Sequence, residues 1–269
     1  MDIVFSSDLH VDHPQLKIEW PSADVCVVGG DIANDIGTVL KTLRKLSARY
    51  RDVVFIAGNH EHYSNSPKKV SRRRTVQETE TAIRWQLPAN VHFLTHDHPR
   101  VDIGGLHFIG MTGWYTCDLD EPGREINAEE MYAFMDKMLF NDARNVGFTP
   151  RGSEHPWDLG RRDAAIMRQQ IMAIDDDLPI VVVTHMPPRS DWVRWTGVEA
   201  KDATNLFYVN TSMSRVIDDL GDRISLWYCG HVHHCKEVRI GRMIGLLNPR
   251  GYPGQNGHWE PVVVSSSEL

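Results

Sequence analysis

Residues 25–61 read VCVVGGDIANDIGTVLKTLRKLSARYRDVVFIAGNHE, and the reading of this stretch decides the fold. Val25–Val28 and Val53–Ala57 are short β-branched runs that end in glycine or polar residues, as buried parallel strands do. Between them, from Thr38 to Tyr50, Val39, Leu40, Leu43 and Leu46 recur at the spacing of one helix face. Strand, helix and strand in that order make a β-α-β unit, which predicts a sheet covered by helices.

Working outward, Ile3-Val4-Phe5 supplies another such run on the N-terminal side. Downstream, Arg100–Ile103 and Leu106–Ile109 flank Gly104-Gly105, a hairpin signal. A helix is expected from Leu159 to Asp175, then strands at Ile180–Val183, Ser225–Cys229, Val238–Ile240 and Met243–Leu247, the last pair joined by a turn at Gly241-Arg242. No internal repeat or low-complexity linker interrupts the 269 residues, so one domain over 1–269 is the expectation.

Composition narrows the function classes. The formal net charge of −7 disfavours a general nucleic-acid binder, because phosphate backbones attract basic surfaces. It leaves room for a small phosphorylated substrate whose charge is met locally. The N-terminus runs straight into a strand with Asp2 where a leader would be basic, and apolar runs such as Ile180–Val183 are far too short to span a membrane. A cytoplasmic protein with no membrane partner is expected. Cys26, Cys117, Cys229 and Cys235 form no CxxC pair, which argues against a thiolate site or a structural disulfide. Oligomeric state is not legible. The basic run Lys68, Lys69 and Arg72–Arg74 reads first as a solvated loop and second as a recruiter of anionic substrate.

The chain holds 14 histidines, and their clustering carries the chemistry. Five polar clusters stand at or just past predicted strand ends: Asp8-Leu9-His10, Gly30-Asp31, Gly58-Asn59-His60-Glu61, Thr184-His185 and Gly230-His231-Val232-His233. In open α/β sheets the carboxyl ends of strands are where ligands bind, and loops distant in sequence converge there. Asp8 and His10 alternate, so both can turn toward one ion; His231 and His233 repeat that spacing, with Gly230 allowing close backbone approach. Mixed imidazole and carboxylate donors suit manganese, iron or zinc. Seven ligating groups exceed one ordinary site, but sharing one carboxylate makes two sites of four. Singly, DxH, GD or a lone histidine is weak; the ordered set at five strand ends is not.

With those motifs the sequence resembles the calcineurin-like metallophosphoesterases, from Asp8 to His233. The resemblance implies a four-layer α/β/β/α sandwich and a binuclear metal centre. By position, the first ion would take Asp8, His10, Asp31 and His233, and the second Asp31, Asn59, His185 and His231, with Asp31 as the bridge. His60 would be the catalytic histidine that touches substrate. The expected reaction is phosphoester hydrolysis by a hydroxide between two ions about 3.5–4 Å apart, with His60 as general acid. Relatives acting on proteins resemble GDxxDRG, whereas this chain has Gly30-Asp31-Ile32-Ala33-Asn34-Asp35, which argues against a protein phosphatase. Either Asn34 or Asp35 could orient His60. A phosphodiesterase is the leading expectation, a phosphomonoesterase of nucleotides or sugar phosphates the alternative, and an inactive scaffold a minor one. Arg250, within Asn248-Pro249-Arg250-Gly251-Tyr252, could hold a phosphate oxygen or sit in a surface turn. Among the loop aromatics Trp114, Tyr115, Trp192, Trp195, Phe207 and Tyr208, packing is the default, and a lid of Trp192 and Trp195 is the sharper reading.

Overall fold

The computed structural model describes residues 1–14, 17–63, 73–118, 125–137, 140–148, 154–193 and 207–269. The opening β-α-β unit forms as β1 (Asp2–Ser6), β2 (Val25–Gly29), α1 (Ile36–Ser47) and β3 (Asp52–Ile56). Helix α1 begins before the expected Thr38 because Asp35 caps it, accepting from the Thr38 amide at 2.8 Å. Next come α2 (Val76–Arg84), β4 (Val91–Phe93), β5 (Arg100–Ile103) and β6 (Leu106–Met111). Helices α3 (Ala128–Lys137), α4 (Asn141–Asn145) and α5 (Pro156–Met172) precede β7 (Ile180–Thr184) and α6 (Thr211–Leu220). The chain closes with β8 (Leu226–Cys229), β9 (Lys236–Ile240), β10 (Met243–Leu247) and β11 (Val262–Ser265).

Two sheets result, ordered β11-β1-β2-β3-β4 and β5-β6-β7-β8-β10-β9 among the described residues. Strands β1 to β4 are parallel to one another, and so are β6, β7, β8 and β10; the edge strands β5, β9 and β11 run antiparallel. The sheets face each other through Ile3, Phe5, Val25, Val27, Val54 and Ile56 on one side and Phe108, Val181, Val183, Leu226 and Tyr228 on the other. Alternate residues of the first sheet, among them Val4, Cys26, Val28 and Phe55, pack on Val39, Leu40, Leu43 and Leu46 of α1. On the outer face of the second sheet, Ile109, Val182 and Trp227 pack on Met167 and Ile171 of α5 and Val216 and Ile217 of α6. The layering is therefore α/β/β/α. Each central strand is buried on both faces, which is why its sequence shows an unbroken apolar run. Full burial of a Val, Ile or Phe side chain contributes roughly 1.5–3 kcal/mol, so these inner layers are the main source of stability.

Two consequences position the site. The parallel strands of both sheets end at one rim, so their C-terminal loops meet over the seam between the sheets. A fourth apolar cluster, including Trp114, Tyr115, Met135, Trp157 and Phe207, packs the segments from α3 to α5 against that rim. Among the described residues, no helix is long and apolar enough to cross a membrane.

Candidate metal centre

The loops after β1, β2, β3, β7 and β8 bring the sequence's polar clusters together. Ligand atoms of Asp8, His10, Asp31 and His233 all lie within 4.8 Å of one another, and those of Asp31, His185 and His231 form a second such group. Asn59 joins the second group: its Oδ1 lies 3.1 Å from His185 Nε2. Asp31 belongs to both groups, with Oδ2 at 3.2 Å from His185 Nε2 and 3.9 Å from His10 Nε2. His60 Nε2 is 3.8 Å from the same oxygen.

The backbone at this rim is strained. Asp8, His10, Asp31, His231 and His233 all have φ between 41° and 68°, the left-handed region that costs a non-glycine residue about 1–3 kcal/mol. Braided hydrogen bonds hold them there: Asp8 N donates to Gly30 O at 3.0 Å, His10 N to Asp31 O at 3.1 Å, and His231 N to Asp8 Oδ1 at 3.0 Å. With Leu9 buried in the core between them, Asp8 and His10 both turn to the same side. Gly58 and Gly230 let the loops touch; a Cβ at either would stand 2.2 Å from a carboxylate oxygen, of Asp31 and Asp8 respectively.

A further ring of partners aims the donors. His185 Nδ1 donates to Gly29 O at 2.8 Å, across the seam, so Nε2 points to Asp31. His233 Nδ1 meets Gln255 Oε1 at 2.7 Å, and His231 Nε2 meets Phe207 O at 3.2 Å, leaving His233 Nε2 and His231 Nδ1 for the centre. Asn59 Nδ2 donates to Asp142 Oδ1 of α4 at 2.9 Å, which turns its Oδ1 inward. The buried Glu61 carboxylate accepts from Asp31 N (2.9 Å), Ile32 N (2.6 Å) and Gly58 N (2.7 Å), tying the β2 and β3 loops together. Burial and the charge of Asp31 push that carboxyl up to about 7.

The electrostatics select for cations. Burial alone would raise the Asp8 carboxyl, but the hydrogen bond from His233 and the charges of His185 and His233 hold it at about 2. Asp31 is likewise held well below the carboxylate range against its burial, chiefly by His185 and His60. Burial works against a charged His185 ring, yet the charge and hydrogen bond of Asp31 raise it to about 10. Burial dominates at His10 and His231, which fall to about 4 and about 3 and so offer neutral nitrogens. Two ionised carboxylates and converging imidazole nitrogens, His10 Nε2 and His233 Nε2 being 3.1 Å apart, fit a metal ion, which would take the place of the proton on His185.

The profile of the calcineurin-like phosphoesterases matches residues 1–235. The chain belongs to this family. It is a metal-dependent hydrolase of phosphate esters. An uncharacterized protein of Acanthamoeba polyphaga mimivirus is 20% identical over 240 residues, 86% of this chain and 80% of that one. Among solved structures, the phosphopantetheinyl hydrolase of Mycobacterium tuberculosis superposes with a TM-score of 0.74 at 17% identity, covering 97% of this chain and 95% of that one. A putative 5'-nucleotidase of Staphylococcus aureus gives 0.51 at 13% identity, covering 98% of this chain and 53% of its own. At those identities the structural likenesses speak for the fold.

Other sequence expectations fare differently. The choice between Asn34 and Asp35 is decided: His60 Nδ1 lies 2.7 Å from Asn34 Oδ1, while Asp35 is spent on capping α1. Asn34 Nδ2 donates in turn to Asp12 Oδ2 at 2.8 Å. The lid reading of Trp192 is corrected. Its indole is 1% exposed and fills the space beside Gly245 in the core, so it cannot stack on a substrate. Trp195 lies outside the described residues, as do Lys68, Lys69 and Arg72. Arg73 donates to Ala143 O at 2.8 Å, against the segment that carries Asp142. Arg250 gives a hydrogen bond to Leu9 O at 3.3 Å and lies over the Trp259 ring. Sequence reasoning passed over Tyr252, Asp142 and Gln255. Tyr252 had a signal, since it follows Met243–Leu247, a strand whose end joins the same rim.

Proposed function

We propose that the protein is a phosphodiesterase that works with two transition-metal ions, manganese, iron or zinc, sharing Asp31. The observation that carries the reading is the membership of Asp31 in both donor groups, with His60 beside it but aimed by Asn34. Asp8, His10, Asp31 and His233 would hold the first ion, and Asp31, Asn59, His185 and His231 the second. When bound, the pair would supply Lewis acidity, screening charge on the phosphoryl oxygens and lowering the pKa of the attacking water toward neutrality.

The chain's own residues do the rest. Asp12 can only accept from the Asn34 amide nitrogen, so the Asn34 oxygen faces His60 and accepts from Nδ1. That leaves His60 Nε2 as the atom that carries a proton to the departing oxygen. Water replaces the alcohol on phosphorus, the P–O bond to that alcohol breaks, and the alkoxide leaves protonated. The preference for diesters follows from charge. A monoester brings a dianion, but His60 is aimed by a neutral amide, and the Arg250 guanidinium is engaged with Leu9 O and Trp259. We also place the protein in the cytoplasm, in keeping with four free cysteines, and expect a small phosphorylated substrate.

Protein loaded with each metal should hydrolyse bis(4-nitrophenyl) phosphate with higher kcat/KM than 4-nitrophenyl phosphate, and retain two ions per chain. Asp31→Asn should lose both ions together. A monoester preference repeated with nucleotides would retire the diesterase reading, and an Asp31→Asn variant that keeps both ions would retire the bridge. Absence of turnover with every metal would favour a scaffold.

A further inference from the structure

The turn after β10 is built into the centre. Arg250 N donates to Ser7 O at 2.9 Å and Gly251 N to Asp8 O at 3.0 Å, so the turn is stitched to the loop that carries Asp8. Gln255 Oε1 accepts from Tyr252 N at 2.7 Å and also meets His233 Nδ1 at 2.7 Å. Asn256 Nδ2 donates to the carbonyls of His233, Pro249 and Arg250 at 3.0–3.2 Å. These bonds fix one side chain. The Tyr252 ring stacks on His10, with centroids 4.3 Å apart, and its hydroxyl stands 3.3 Å from His60 Nε2. An oxygen placed to take a proton from His60 Nε2 therefore lies within reach of the phenol as well.

Behind Tyr252 opens a groove of about 630 Å³. Pro14, Ile18, Pro253 and Trp259 give it apolar walls. Its charges balance, Lys17 and Arg250 against Glu19 and Glu260, so it does not select a second phosphate. Tyr252 lines the groove and its hydroxyl faces His60, so the groove lies next to the side of the centre that His60 occupies.

We infer that Tyr252 is a substrate contact on the leaving-group side and that the groove behind it receives the departing group, an extended uncharged alcohol. This rests on the proposed role of His60. In the reaction the P–O bond to that alcohol breaks, water supplies the oxygen on phosphorus, and His60 supplies the proton. Tyr252 keeps its own proton and donates only a hydrogen bond to the oxygen as charge builds on it.

The test uses metal-loaded protein, with bis(4-nitrophenyl), dimethyl and dihexyl phosphates, measuring released phenol or alcohol. Tyr252→Phe keeps the ring and removes the hydroxyl. It should retain its metals and lower kcat/KM for dihexyl phosphate about 10- to 100-fold, but for the nitrophenyl diester less than about threefold, since nitrophenolate needs little help. A Cβ at Gly257, in the groove wall, meets nothing within 4 Å, so the backbone there admits a side chain and Gly257→Trp is the variant that narrows the groove. It should lower the dihexyl-to-dimethyl ratio of kcat/KM by about tenfold or more. Equal losses on all esters in Tyr252→Phe, or an unchanged ratio in Gly257→Trp, would overturn the inference while wild-type turnover leaves the diesterase reading standing. If the wild type cleaves none of the three esters, both fall.

Discussion

Gly58→Ala adds one carbon at the point where the β3 loop crosses the Asp31 carboxylate, which both donor groups share. Its Cβ would stand 2.2 Å from Asp31 Oδ1, and 2.8 Å from both Asp31 N and His185 Cε1. Asp31 has nowhere to go. Its amide is held by Glu61 Oε2 at 2.9 Å, its Oδ1 accepts from His60 N at 2.9 Å, and its Oδ2 faces His185 Nε2 at 3.2 Å. Restoring an ordinary contact demands a retreat of roughly 1 Å, and a misplacement of that size costs on the order of 10²-fold in rate. Overpacking of this kind also costs about 1–3 kcal/mol of stability. Because Asp31 serves both donor groups, both ions should bind more weakly. Elemental analysis after gel filtration, kcat/KM on bis(4-nitrophenyl) phosphate and a thermal midpoint with added metal read the three effects. Gly221→Ala is the control: Gly221 has φ −58° and its Cβ would meet Ile217 Cγ2 at an ordinary 3.6 Å. A Gly58→Ala protein with two ions and kcat/KM close to wild type would show that the loops are not packed as described.

His60→Ala should keep its metals yet lose about 10²–10⁴-fold in kcat, more on alkyl than on nitrophenyl esters; loss of metal, or equal losses where chemistry limits the rate, would make His60 a ligand or an electrostatic clamp. Asn34→Ala should cost about 10- to 100-fold in kcat with little change in KM, whereas Asp35→Ala should lower the melting temperature through the lost cap of α1; the reverse pattern would reassign the orienting residue. His107 gives a pH signature away from the centre. Burial opposes its charge, but hydrogen bonds to Asp176 and Asp102 raise it above 6.5. The stabilisation is full below the unfolded value near 6.5 and fades as pH rises through the folded one. Urea unfolding should therefore show His107→Gln to be more damaging at pH 6 than at pH 9, and a pH-independent deficit would reject the ion pairs.

Much of this protein was legible in one dimension. Doubly buried parallel strands write themselves as unbroken apolar runs, so Val25–Val28, Val53–Ala57 and Ile180–Val183 identified strands, and Asp31, Asn59 and His185 stood just beyond them. Metal donors are few residue types, and their order along the chain was enough to point to the family. What the sequence obscured was short or non-local. Strand β4 has three residues, Val91–Phe93, and gains its partner only from β3. Which side chain aims His60 was undecidable from Asn34-Asp35, because both can accept a hydrogen bond; the start of α1 takes Asp35 and frees Asn34. Trp192 resembled a lid because it follows His185, but the cavity beside Gly245 that holds it is made by β9 and β10, some fifty residues later in the chain. Local propensity and donor chemistry are carried by neighbouring residues, so the sequence alone marked the doubly buried strands and the candidate donors. Register between sheets, the loop crossings at Gly58 and Gly230 and the approach of Tyr252 to His60 arise only when distant segments pack, and the tertiary structure decided them.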